Sequence, residues 1–63
     1  MLMIFFEKDK ILSDSQNVRI LNAEYFPKPS IGEKVVVNGV MYTVCDVTTN
    51  YDENQIIVIV DRV

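Results

Sequence analysis

Gly32-Glu33-Lys34-Val35-Val36-Val37-Asn38-Gly39-Val40-Met41-Tyr42-Thr43-Val44-Cys45-Asp46-Val47 is the stretch that decides the fold. Two β-branched runs flank Asn38-Gly39, the pair that best tolerates the positive φ a type I′ hairpin turn needs at both central residues. With a two-residue loop, Val37 faces Val40 and Val35 faces Tyr42. Side chains alternate along a strand, so Val35, Val37, Val40, Tyr42 and Val44 share one face, while Val36, Met41, Thr43, Cys45 and Val47 share the other. The first face is the expected core. The second is mixed, with Val36 and Met41 forming an exposed apolar patch. The step from Val44 to Val47 breaks strict alternation and predicts a bulge near Cys45-Asp46, a bend of the kind that closes small barrels.

Downstream, Thr48 to Asn54 is a polar turn and Gln55 to Val60 the last strand. Ile56 to Val60 is five consecutive β-branched apolar residues, which need cover on both faces. Upstream, Pro27 and Pro29 stiffen a connection over Asn22 to Ser30. Tyr25 and Phe26, just before them, are placed to stack on the prolines or to cover an open barrel end. Leu2 to Phe6 is an apolar run too short for an ordinary helix. It is expected as a core strand, with docking of its outer face on another subunit as the alternative. Glu7 to Lys10 is a charged turn or strand continuation. Ile11-Leu12 and Val18 to Leu21 suggest a hairpin looped at Ser13 to Asn17. A short helix over Asp14 to Leu21 is the weaker alternative, because Asn17, Val18 and Ile20 oppose it.

The expected fold is all-β: one domain over residues 1–63, a five-stranded barrel or a curled antiparallel sheet. The segment Pro29 to Val44, with Val47 and Ile57-Val58-Ile59-Val60, resembles the short SH3-like barrel proteins common in bacteriophage and bacterial genomes. Their pattern is a Pro-x-x-Gly-(Asp/Glu)-x-Val-x-(Val/Ile) lead-in, a glycine turn, then Tyr-x-Val. Here it falls on Pro29, Gly32, Glu33, Val35, Val37, Gly39, Tyr42 and Val44. The likeness covers the C-terminal half, and residues before Pro29 have no counterpart in it. Such a motif specifies a fold, and no functional residue carries over from it. It implies a phage-encoded protein of the kind that binds and blocks a host protein.

Composition narrows the function by exclusion. The chain has 63 residues, 49% of them hydrophobic and 24% charged, so it should fold rather than stay disordered. A core of this size supplies only about 3–5 kcal/mol, and small proteins usually add a staple. One cysteine, Cys45, forms no internal disulfide, and with no histidine it makes no structural zinc site alone. Self-association or docking on a partner is the favoured supplement. The formal net charge is −3, and the six scattered cations disfavour a phosphate backbone. A single-strand binder would need exposed Tyr25, Phe26, Tyr42 or Tyr51 beside bases, whereas Asp46, Asp52 and Glu53 accompany the second half.

Met1 to Phe6 lacks a basic n-region, and nothing approaches the roughly 20 apolar residues that cross a bilayer. The expectation is a cytoplasmic protein, in the host cytoplasm if phage-encoded, without membrane association. Catalytic patterns fail in turn. Asp52 and Glu53 are adjacent and solvated, and Cys45 has no histidine base. No calcium-loop spacing and no glycine-rich phosphate loop occur. No enzyme activity, cofactor or metal is expected.

What remains is a non-catalytic protein-binding module, acting as an inhibitor that sterically occludes a host enzyme or defence protein. Its surface is expected among Phe5, Tyr25, Phe26, Val36, Met41 and Tyr51, apolar side chains ringed by acids. The expected partners are another protein and a second copy of the chain. Two other classes stay open: a barrel that binds single-stranded nucleic acid or a nucleotide, and a virion assembly subunit.

Overall fold

The Asn38-Gly39 turn has the backbone its residues permit, with φ of 53° and 79°. It joins two of the five strands in the computed structural model, which describes residues 1–10 and 17–63. These are β1 (Leu2–Glu7), β2 (Arg19–Asn22), β3 (Lys34–Val37), β4 (Val40–Asn50) and β5 (Gln55–Arg62), with a 3-10 turn at Lys8–Lys10. They form one nearly closed, barrel-like sheet in the order β2-β1-β5-β4-β3, consistent with an SH3-like fold. The expected pairs Val35 with Tyr42 and Val37 with Val40 are the observed register. Val18 to Leu21 was expected to resume a strand, and β2 pairs antiparallel with β1. Ile11-Leu12 and most of the loop expected at Ser13 to Asn17 lie outside the described residues.

The bulge falls where alternation breaks. Between β4 and β5 the register shifts at Val44/Asp46, so Cys45 has no partner across the ladder. The extra residue returns Val47 to the inner side, opposite Val58 and against the core. Straight alternation had put Val47 on the outer face with Val36, and the bulge corrects that placement. Just across β4, the lead-in to β3 hooks on. The Ser30 amide donates to Glu33 Oε1 (2.9 Å) and the Glu33 amide to the Ser30 carbonyl (3.0 Å). Gly32 takes φ 89° inside that turn. Its amide then donates to the Val44 carbonyl, and the Val44 amide to the Glu33 carbonyl, both at 2.8 Å. Residues of the Pro-x-x-Gly-Glu pattern thus anchor β3 to β4 beside the bulge.

The strand Ile56 to Val60 is fully covered on one face and partly covered on the other. β5 lies between β4, which runs antiparallel to it, and β1, which runs parallel. A wholly antiparallel curled sheet, one of the two forms expected, is therefore corrected to a mixed one. Ile56, Val58 and Val60 point inward and join Met3, Phe5, Val37, Tyr42 and Val44 in the core. Ile57 and Ile59 point outward and are half-buried, paired with Ile4 and Phe6 of β1. At one end of the barrel the buried Tyr42 ring keeps its hydroxyl usable, donating to Glu7 Oε1 (3.4 Å). Arg62 Nε reaches the same oxygen at 3.4 Å.

Two stability predictions follow from these positions. Nothing lies within 4 Å of a Cβ built on Gly39, so Gly39→Ala meets no clash and isolates backbone strain. It should lower unfolding stability by about 1–2 kcal/mol in urea titrations, whereas D-alanine at the same place in a synthetic chain should not. Val58 is wholly buried. Val58→Ala should cost about 2 kcal/mol, close to half of what so small a core provides, and thermal unfolding followed by circular dichroism would measure it.

Candidate functional site: an outward apolar row and a side-wall hollow

The barrel is incomplete between β2 and β3, the two ends of the strand order. Each edge strand is only four residues long, which limits the unpaired backbone on offer. Asn38, already fixed in the hairpin turn, bridges the gap with its side chain. Its Nδ2 donates to the Val18 carbonyl (2.9 Å), and its Oδ1 accepts from Arg19 Nη1 (3.3 Å). At the other end the gap is bounded by the chain running from β2 back to β3, where Phe26, Pro27, Lys28 and Pro29 form its wall.

Between these limits opens a hollow of about 450 Å³. Met3 and Phe5 of β1 form its floor, since they lie on the inner face of the sheet. Leu21 and Arg19 line the β2 side, and Val35, Val36 and Val37 the β3 side. Glu33 and Lys28 add one charge of each sign, and Arg19 adds a second positive one.

The outer face carries a different feature. Val36 sits opposite Met41, and the Val63 amide donates to the Met41 carbonyl (3.3 Å). These three side chains form one row across β3, β4 and the end of β5. They are 66%, 49% and 71% exposed. The neighbouring outer row is polar: Lys34 opposite Thr43, and Thr43 opposite Asp61.

The residues expected to form a surface are therefore divided. Val36 and Met41 stand together in the outward row, as the two-faced hairpin predicts. Phe5 is a correction: at 4% exposed it is a core residue, reachable only as the floor of the hollow. In the apolar run Leu2 to Phe6 nothing marks which residue points in. Phe26 borders the hollow from the connecting segment. Tyr25 and Tyr51 are strongly exposed but lie at the opposite end of the barrel from Met41, in the turns that follow β2 and β4. There the Tyr25 amide donates to the Asn22 carbonyl and the Ala23 amide to the Met1 carbonyl.

Val63 was missed, because its place beside Met41 depends on how far β5 extends. Cys45 sits half-buried at the bulge, its thiol donating to the Thr43 carbonyl (3.7 Å). Among the described residues no group of histidine, cysteine, aspartate and glutamate is placed to hold a metal ion, and no helix is long and apolar enough to cross a membrane.

Asn38→Gly keeps a turn-compatible residue and removes only the bridging side chain. It should cost about 1 kcal/mol in chemical denaturation, with amide shift changes concentrated at Val18–Ile20 and Val37–Val40. No protein-family model, no curated protein and no solved structure matches this chain.

Proposed function

We propose that the chain is a non-catalytic protein-binding module whose contact surface centres on Val36, Met41 and Val63. The observation that carries this reading is their alignment: neighbouring strands present three exposed apolar side chains in one row, with Lys34, Thr43 and Asp61 beside them. An apolar centre with a polar rim is the usual anatomy of a protein interface. Three side chains are too few for a whole interface, which buries roughly 800 Å² per partner, so they are its centre and flanking residues complete it.

The resemblance to short phage and bacterial barrels adds the finer proposal. The partner is a host enzyme or defence protein, and the barrel acts by covering a site on it. The same row serves self-association where no other partner is present.

The test uses two variants on the row and one away from it. Wild-type protein immobilised in bacterial lysate should retain a discrete protein. Val36→Glu and Met41→Glu should reduce its recovery by about tenfold, while Tyr51→Ser should leave it unchanged. Equal recovery with all four proteins, or recovery of nucleic acid alone, would overturn the reading. Sedimentation at high micromolar concentration tests the self-association: wild type should sediment as a dimer or larger and Met41→Glu as a monomer.

A further inference from the structure

We propose that the hollow between β2 and β3 is a binding site for a small molecule with an apolar body and a carboxylate or similar anionic head. The site goes beyond the outer row, with which it shares Val36 alone. Its volume, about 450 Å³, lies within the range of about 300–1,000 Å³ typical of small-molecule pockets. Its floor and walls are apolar: Met3, Phe5, Leu21, Val35 and Val37, with Phe26 at the side. Three of those, Met3, Phe5 and Val37, are core residues, so an occupant would rest directly against the barrel interior.

Charge selects the head group. Although the chain carries −3 overall, the hollow is bordered, among the described residues, by Arg19 and Lys28 against one carboxylate, Glu33. Glu33 Oε1 accepts the Ser30 amide and is held within its own turn. Arg19 uses Nη1 on Asn38 and keeps its remaining donors available. Among the described residues Lys28 makes no hydrogen bond or ion pair. A pocket with an apolar floor and a cation toward each end of its opening matches an amphipathic anion, whose head stays near solvent while its body leaves water.

The unpaired edges of β2 and β3 would also suit an added peptide strand, but the ends of the gap argue against it. A strand lying between them must pass both ends. The Asn38 amide closes one by its bond to Val18, and the Phe26–Pro29 segment walls the other. The opening therefore admits a compact molecule from the side.

Nitrogen-15 amide spectra of the full chain, titrated with decanoate and with decanol below their aggregation limits, test the assignment. Decanoate should give saturable shifts largest at Phe5, Leu21, Val35 and Val37. It should bind about tenfold tighter than decanol, the factor expected for one charge-assisted contact. Lys28→Gln combined with Arg19→Gln should bring decanoate down to the affinity of decanol. Decanol binding and the amide pattern away from the neighbourhoods of residues 19 and 28 should not change. Leu21→Trp, which fills the hollow, should abolish binding of both; Lys28→Gln alone, at an exposed residue, serves if the other variants unfold. No saturable shift, equal affinity for the two probes, or shifts centred on Met41 and Val63 would overturn the proposal. None of these results would touch the capture experiment above, because its Met41→Glu arm changes a residue outside the lining of the hollow.

Discussion

The parallel pairing of β1 with β5 is the constraint on which the rest of the barrel depends. Leu2 lies beside Gln55 and Glu7 beside Val60, so the first strand is held by the last. Without that pairing Ile56, Val58 and Val60 lose the cover of Met3 and Phe5, and one side of the core stands open. The other flank of β5 is held by β4 through the longest ladder in the fold. A strand with neighbours on both sides, its inward side chains buried and its outward ones half-buried, is an environment in which five β-branched residues in a row are stable. Anywhere else the same run would invite aggregation.

What that arrangement leaves over is unevenly distributed. The two edges of the sheet face each other across a gap that one asparagine side chain spans, so the barrel closes through a side chain where a backbone ladder would otherwise run. β3 borders both features of interest. Val35 and Val37 turn toward the hollow, while Val36, which also borders it, turns out beside Met41. An event at either feature is one residue away from the other along the same strand. Proline supports this edge as well. Pro29 is buried at the wall of the hollow, just before the Ser30–Glu33 turn that ties β3 to β4.

The parts of the fold legible in the sequence are those whose cause is local. Asn38-Gly39 sets its own φ values, so the turn, the register of β3 on β4 and the two-faced character of the hairpin could be read directly. The bulge was visible too, because Val44 and Val47 cannot both face inward without an extra residue between them. The parallel β1–β5 contact left no such trace. It joins segments some fifty residues apart without a turn of its own, and a continuous apolar run hides which side chains face the core. For that reason Phe5 was expected at the surface and lies in the interior. The hollow was equally hidden, since β1, β2, β3 and the proline segment each supply only one side of it. Arg19 and Lys28 were seen as scattered charges. Only the closing of the barrel puts them at one opening.

Parallel neighbours also fix how the molecule meets tension. Leu2 lies at one end of the barrel and Arg62 at the other, because β1 and β5 run the same way. A pull applied at Leu2 and Arg62 would slide these two strands past each other along their length. All the hydrogen bonds of that ladder would then be loaded together, whereas peeling from one end would break them in succession. The contact that completes the core therefore also acts as a mechanical clamp between the two ends of the barrel. Two proteins tethered at those ends would be held apart by the full length of β5, roughly 25 Å.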